Sequence, residues 1–475
     1  MDSFTMTIGG AAVESERLLD VDNPATGQTA FQVPDCGREQ LEAAMDSAQK
    51  AFAGWRGDAA QRRAVLYACA AAVEENAGEL GRIQTIEQGM PLALSVEAAR
   101  HAAATFRYYA DLEIPRTRVK DDERERIDVV RRPLGVNLAI TAWNGPVIQA
   151  VNNIAPPLWT GNTVVLKPSP FTPAASLALG AVLRDIVPPG VVNVVSGADP
   201  LGQWAVEHPV PRSVSFTGSV ATGKRVNQTA SGDLKRVLLE LGGNDPLIVL
   251  DDVDPEEFAA RLFPIAFRNS GQICQAPKRI YVPDKLHDEI AGALAARARA
   301  VRVGDGMETG TELGPITTAP QFERVKELVA DALAGGATAL AGGHPVDRPG
   351  YFFETTILTN LTDGTRIVDE EQFGPALPVI RYFGEADVIA RANATSYGLG
   401  ASVWSADPDR AQLIAEQLES GNAWVNTHGV RTNAAPFGGT KWSGLGHKNG
   451  LWTLDSLTDV QTVWRSKAPV PGRSS

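Results

Sequence analysis

Apolar residues recur at helical spacing early in the chain and in short strand-like runs later. The opening stretch "VDNPATGQTAFQVPD" is rich in turn formers and predicts a loop-rich start. In "CGREQLEAAMDSAQKAFAGW", Leu41, Ala44, Met45, Ala48 and Phe52 share one face of a 3.6-residue period, which predicts a helix. Two alanine-rich amphipathic segments, about 58–82 and 93–112, predict further helices. "RERIDVVRRP" then alternates like a strand. From residue 134 the β-branched runs "GVNLAIT", "NTVVLKP", "GVVNVVSG", "SVSFTGS" and "DPLIVLDD" alternate with helix-compatible segments. That rhythm predicts βαβ units around a buried parallel sheet. The pattern pauses at Gly242-Gly243. A second series follows, with "EEFAARLFPIAFRNSGQ", "RIYVP", "DEIAGALAARARAVRV", "QFERVKELVADALAGG", "PVIRYF" and "ASVWS". It predicts a second α/β unit over about 243–442, and the tail "KAPVPGRSS" is expected to fray.

Length and composition narrow the function classes. A chain of 475 residues is too long for one small core, so two or three packed units are expected. The hydrophobic fraction of 44% and charged fraction of 21% are those of a soluble globular protein. A net charge of -12 argues against nucleic acid as the main partner, because phosphate neutralisation needs a basic face. A nucleotide, held by a few local groups, stays open. Cys36, Cys69 and Cys274 lie far apart with no CxxC, and the six histidines form no HxxxH or HExxH. Neither a disulfide framework nor a zinc site is expected, and a cytoplasmic, reducing setting fits. "MDSFTMTIGG" lacks the basic and apolar regions of a signal peptide. The greasiest region, about 133–159, is interrupted by Asn144, Gln149, Asn152, Asn153 and prolines, too polar to span a bilayer.

Several short motifs carry chemistry, each with an ordinary structural alternative. "GSVATGK", Gly218 to Lys224, fits the start of a phosphate-binding P-loop, but Arg225 stands where the Mg²⁺-binding hydroxyl belongs. A Gly-rich turn between strand and helix still lets backbone N–H groups approach a phosphate. No GxGxxG fingerprint is present. Glu240 in "LLELGGNDP" is a carboxylate in an apolar run, either salt-bridged or raised in pKa by desolvation. Asn144 in "AITAWNGP" either caps a turn or donates to a developing oxyanion. Lys167 in "VVLKPSP" is either solvent-exposed or at the ligand end of a strand. Cys274 in "NSGQIC" is either a small core residue or a nucleophile. Together these residues are a full set of parts for covalent chemistry at a carbonyl beside a nucleotide.

Read in order, these segments resemble the aldehyde dehydrogenase superfamily over nearly the whole chain. "NPATGQTAFQVP", "RRPLGVNLAITAWNGP", "GNTVVLKPS", "PPGVVNVVSG", "FTGSVATGK", "LELGGNDP", "NSGQIC", "EEQFGPALPV", "SYGLGASVWS", "GNAWVN" and "PFGGTKWSGLG" follow the family's order. The resemblance implies an α/β fold of two α/β domains, a variant Rossmann cofactor domain and a catalytic domain, with a small β oligomerisation element. The cofactor domain would comprise 1–110 and 134–242, the catalytic domain 243–442, and the oligomerisation element 111–133 with 458–475. It implies a homodimer or homotetramer acting on a small-molecule aldehyde, without membrane or metal. The catalytic residues implied are Cys274 as nucleophile, Asn144 as oxyanion donor and Glu240 as general base releasing the acid by hydrolysis. Trp143, Lys167, Gly218, Ser219 and Gly242 match cofactor positions. Glu371 matches the carboxylate at the nicotinamide ribose, and Phe373 packs near that ring. The cofactor would be NAD or NADP, with NAD favoured. A cofactor-independent Cys esterase or thioesterase, and a weakly active relative serving as a binding protein, are the alternatives.

The chain departs from the family pattern at four places. Pro170 stands where NAD-preferring relatives carry a Glu, so discrimination against NADP should weaken. Asn153 replaces a Lys, and Lys448 replaces a Glu, at positions near the general base. Lys448 is expected to supply the missing cation beside Glu240. The substrate tunnel is expected to be polar and wide, through Gly145, Gln149, Asn152, Arg268 and Arg431, with Ile273, Gln275 and Phe437 nearby. Arginine pairs well with carboxylates, which favours a polar or carboxylate-bearing aldehyde. Lys278 and Arg279 are expected only to lead into the next strand.

Overall fold

The computed structural model describes residues 3–470. Its larger sheet orders the strands Gly444–Leu445, Arg236–Glu240, Pro211–Thr217, Val136–Ile140, Thr163–Lys167, Val192–Val194, Met6–Ile8 and Ala11–Val13. The run from Arg236–Glu240 to Val192–Val194 is parallel. Such strands are covered on both faces, which is why they read as continuous apolar runs. Met6, Leu138, Val165, Val194 and Val214 are all fully buried in one core with the helices Arg38–Trp55 and Leu92–Asp111.

A second sheet orders Thr338–Ala341, Thr356–Thr359, Ala376–Tyr382, Pro277–Pro283, Asp245–Val249, Gly400–Trp404 and Asn422–Val425. Alternate residues of its strand Asp245–Val249 feed different cores. Ile248 joins one cluster while Leu247 and Val249 join the other, as a pleat of period two requires. This strand, the "DPLIVLDD" grouped with the first series by its rhythm, therefore belongs to the second sheet. A third, antiparallel sheet joins Thr117–Asp121, Glu125–Pro133 and Thr458–Ser466.

Two expectations about elements need correcting. The loop-rich opening is a β-hairpin, Leu18–Asn23 against Gln28–Pro34, turned where Asn23 Oδ1 accepts the Ala25 N–H at 2.8 Å. The helix expected over 58–82 is two helices, Ala59–Glu75 and Ala77–Gln88, divided at Asn76, whose side-chain amide caps the Ala72 carbonyl at 2.8 Å. The helix-compatible segment after the Asn144 turn is indeed a helix, Pro146–Thr160, with Pro156 and Pro157 inside it. Each proline removes a helical N–H. Burial of Ile154, Ala155, Leu158 and Trp159 offsets the loss. Of the tail expected to fray, Lys467 is held on the hairpin by Asp121 Oδ1 at 2.7 Å. Residues 471–475 lie outside the described residues. Among the described residues no helix is long and apolar enough to cross a membrane.

Candidate active site

The parallel strands of the larger sheet carry the matched residues at or just beyond their carboxyl ends. Val136–Ile140 runs out into Trp143 and Asn144, Thr163–Lys167 ends on Lys167, Pro211–Thr217 leads to Gly218 and Ser219, and Arg236–Glu240 ends on Glu240. Val136–Ile140 lies between Thr163–Lys167 and Pro211–Thr217, so the strand order reverses there. Open α/β sheets bind ligands at such a switch point. The second sheet contributes the loop before Pro277–Pro283, with Cys274, and the loop before Ala376–Tyr382, with Glu371 and Phe373.

The loop carrying Cys274 is tightly wound. Asn269 and Ser270 are both left-handed at φ 54°, and Gly271 follows at φ 75°. A Cβ on Gly271 would lie 2.3 Å from the Gly374 carbonyl oxygen, so only glycine lets the two second-sheet loops touch there. The Asn144 turn is tied to the same loop from the other sheet. Asn144 Nδ2 donates to the Gln272 carbonyl at 2.8 Å, and Asn269 Nδ2 donates to the Asn144 carbonyl at 3.0 Å. Cys274 is half-buried. Burial pushes its thiol up, opposed by Arg431 and Lys278 and reinforced by Glu371 and Glu240.

Glu240 is 5% exposed, and neither carboxylate oxygen has a hydrogen-bond partner. Burial raises it to about 7, against the pull of Lys448 and Arg431. Burial also lowers Lys448, with Glu240 acting against that shift. Asn153 turns back to its own helix, where Nδ2 donates to the Gln149 carbonyl at 2.8 Å.

The residues matched to the cofactor fit a dinucleotide. Ser219 caps the helix Val220–Ser231, its Oγ accepting the Thr222 N–H at 3.3 Å. A helix N-terminus behind a Gly-Ser turn suits a pyrophosphate. Gly218 is held by its N–H on the Glu240 carbonyl at 3.1 Å. Lys167 is buried, bonded to the Pro168 carbonyl at 3.2 Å, and pushed down to about 8 by burial. Trp143 and Phe373 meet edge to face at 5.2 Å. A Cβ on Gly242 would lie 2.2 Å from Glu371 Oε2, so the glycine admits the carboxylate. Glu371 Oε1 accepts the Gly243 N–H at 3.1 Å.

Lys278 does more than lead into a strand. Its Nζ donates to the carbonyls of Ile273 at 2.8 Å and Cys274 at 2.7 Å, and stands 3.4 Å from Glu371 Oε1. It ties the Cys274 loop to the Glu371 carboxylate. The available signal was a lysine opening an apolar strand, since a buried ammonium must find carbonyls or a carboxylate. Arg279 is likewise structural, donating to the carbonyls of Asn244 and Ala392 at 2.8 and 3.0 Å.

The residues matched to the substrate tunnel divide. Gly145 caps the helix Pro146–Thr160 and Ile273 is half-buried beside Cys274. Phe437 is buried, with the Arg431 guanidinium 4.7 Å from its ring centroid. Arg431 is exposed yet acts electrostatically on both Cys274 and Glu240. Arg268, also exposed, opens the turn Arg268–Gly271 and shows no such influence. Gln149 is committed to Ala142 and Asn144 through both ends of its amide. Gln275 is tied by Nε2 to the Gly429 carbonyl at 2.6 Å.

Comparison with known proteins agrees with this geometry. The sequence model of the aldehyde dehydrogenase family matches residues 11–463. The succinate-semialdehyde dehydrogenase [NADP(+)] of Escherichia coli K12 is 37% identical over 93% of this chain and 93% of its own. The betaine aldehyde dehydrogenase of Bacillus subtilis is 34% identical over 98% of each. The solved NAD+ complex of an aldehyde dehydrogenase from Bacillus cereus superposes with a TM-score of 0.95 at 34% identity, covering 98% of this chain and 97% of that one. The chain belongs to the aldehyde dehydrogenase family, enzymes that oxidise an aldehyde with a nicotinamide cofactor.

Proposed function

We propose that the chain converts an aldehyde to its carboxylic acid through a thioester on Cys274. The Cys274 thiolate adds to the aldehyde carbon, and the Asn144 amide with the Cys274 backbone N–H holds the oxyanion. The nicotinamide cofactor, when bound, supplies the hydride acceptor for the oxidation. Glu240 then takes a proton from water as it adds to the thioester, whose collapse releases the acid and returns the thiol. The observation that carries this reading is Glu240, a buried carboxylate with both oxygens unpartnered and a pKa of about 7. An unpaired carboxylate in the interior is costly, whereas a base poised near neutral pH is what hydrolysis needs.

The half built from 1–110 and 134–242 is the cofactor domain, with Trp143, Lys167, Gly218 and Ser219 toward the adenosine and pyrophosphate and Glu371 toward the nicotinamide ribose. Residues 243–442 are the catalytic domain. Pro170 offers no carboxylate to repel a 2′-phosphate, so NADP is accepted beside the favoured NAD. The third sheet is the oligomerisation element of a homodimer or homotetramer. Val460 and Trp464 are 59% and 65% exposed on its outer strand, and an uncovered edge strand needs a partner.

The two named relatives act on aldehydes of opposite charge, so their names do not choose the substrate. What supports a choice in this chain is Arg431. Neither Arg268 nor Arg431 has an ion-pair partner among the described residues, and the Arg431 charge pulls down both Cys274 and Glu240. The substrate is therefore an aldehyde bearing a carboxylate or similar anion. The test is a panel of neutral, cationic and carboxylate-bearing aldehydes with NAD and NADP, following cofactor reduction. Anionic aldehydes should be preferred and Cys274→Ala should abolish the signal. Cofactor reduction that survives in Cys274→Ala would overturn the mechanism, and ester hydrolysis without aldehyde oxidation would favour a cofactor-independent hydrolase.

A further inference from the structure

Two amide side chains stand in series between the peptide of Ala142 and the loop that carries Cys274. The Ala142 N–H donates to Gln149 Oε1 at 2.9 Å. Gln149 Nε2 donates to Asn144 Oδ1 at 2.6 Å. Asn144 Nδ2 donates to the Gln272 carbonyl at 2.8 Å. The ends of this series are backbone groups of fixed polarity, because an N–H only donates and a carbonyl only accepts. An isolated side-chain amide can turn either way. Here, turning either one would set two donors or two acceptors face to face. The Ala142 peptide thus dictates, through Gln149, which way the Asn144 amide faces.

We propose that Gln149 is the positioning residue of the oxyanion donor. The inference rests on the reading of Asn144 as that donor. Gln149 holds Asn144 Oδ1 on its own side, so the NH₂ group faces the nucleophile's loop. One N–H is spent on Gln272, and the second has no acceptor among the described residues. That second N–H is the one an oxyanion can take. Accepting a hydrogen bond at Oδ1 also polarises the amide and strengthens its donors. Gln149 is itself well held. It lies in the first turns of the helix Pro146–Thr160, with its N–H on the Gly145 carbonyl at 3.0 Å and its carbonyl capped by Asn153 Nδ2 at 2.8 Å. No charged side chain bonds to Gln149 or Asn144 among the described residues.

Gln149→Glu separates this role from a merely structural one. The introduced carboxyl keeps the length and can still accept from Ala142. As a carboxylate it cannot donate to Asn144 Oδ1 and forces that amide to turn. As a carboxylic acid it donates again through its O–H. The expected result is a fall of about ten- to a hundredfold in kcat/KM at pH 8, with the cofactor KM unchanged. The ratio of variant to parent activity should rise again as the pH is lowered. Hydrolysis of p-nitrophenyl acetate, which needs the oxyanion donor but no cofactor, should fall in step. Gln149→Met, checked for an unchanged melting temperature, should show a loss of similar size whose ratio does not vary with pH. Parent-like activity in Gln149→Met, or identical pH ratios in the two variants, would overturn the proposal. Asn144→Ala is the separate control. If it leaves both activities intact the oxyanion reading itself fails, whereas an impaired Asn144→Ala beside a parent-like Gln149→Met sinks only the positioning role.

Discussion

Lys448 Nζ donates to Thr217 Oγ1 at 3.3 Å, and Thr217 is the register partner of Glu240 across two parallel strands. An ammonium is thereby delivered beside Glu240, the proposed general base, from a segment about two hundred residues further along the chain. The bridge between the backbones of Phe437 and Lys448, with bonds of 3.0 and 2.7 Å, anchors that segment. Asn153 offers no charge here and bonds within its own helix, so Lys448 is the lysine positioned at this carboxylate.

Lys448→Met should therefore slow the hydrolytic half of the reaction. Glu240 accepts a proton only when ionised, so activity limited by hydrolysis rises with pH through about 7. Lys448 pulls that value down. Its loss should move the limb to higher pH by about one unit. The measurement is a pH profile of kcat with a stopped-flow record of cofactor reduction. A larger burst followed by a slower steady state is expected, and an unmoved profile would refute the role.

The 2.2 Å that would separate a Gly242 Cβ from Glu371 Oε2 makes a second prediction. Gly242→Ala must push Glu371 away from the Gly243 N–H. The cofactor KM should rise and kcat fall, together lowering kcat/KM for the cofactor by about a hundredfold, as a misplacement near 1 Å does. The aldehyde KM should change little. Titration of cofactor binding by fluorescence checks the first part without turnover.

How much of this was legible beforehand depends on the range of the interactions. Cys274, Glu240 and Asn144 stand in local motifs, so their resemblance to a family could be read from a few neighbours. Rhythm alone groups the strand Asp245–Val249 with the first series although the boundary at 243 puts it in the second unit, because a strand buried on both faces shows an apolar run whichever neighbour it pairs with. Sequence position alone assigns Gln149 to the tunnel, because it does not reveal the partners Ala142 and Asn144. The bond from Asn144 to Gln272 that gives its orientation meaning spans 128 positions of sequence. Lys278 was passed over for the same reason, since its partner Glu371 arrives from another loop.

Lys278 is 3% exposed, and the carbonyls of Ile273, Cys274 and Ala276 converge with Glu371 on its ammonium. Lys278→Met should take the donor from the Cys274 carbonyl, while the Ile273 carbonyl keeps the Ala276 N–H and Glu371 keeps the Gly243 N–H. A stranded carbonyl costs about 1–3 kcal/mol, so the melting temperature should fall. Glu371 and the Cys274 thiol would both lose a cation that opposes the effect of burial. Alkylation by iodoacetamide, which reads the thiolate, should consequently slow at neutral pH. A variant that melts lower yet alkylates at the parent's rate would leave Lys278 a purely structural role.

Arg431 allows the substrate assignment to be tested apart from the mechanism. Arg431→Gln keeps most of the side chain and removes its charge, with two separable effects. It removes a cation that lowers both Glu240 and Cys274, which slows any aldehyde. It also removes the partner offered to a substrate carboxylate, which slows only an anionic one. A neutral aldehyde of equal length therefore measures the first effect, and the difference between the two substrates measures the second. Because Arg431 is exposed, screening holds that difference to about tenfold in kcat/KM, and it should shrink as ionic strength rises. Equal losses with both aldehydes, at low salt, would remove Arg431 from substrate recognition and leave it as an electrostatic neighbour of the reacting pair.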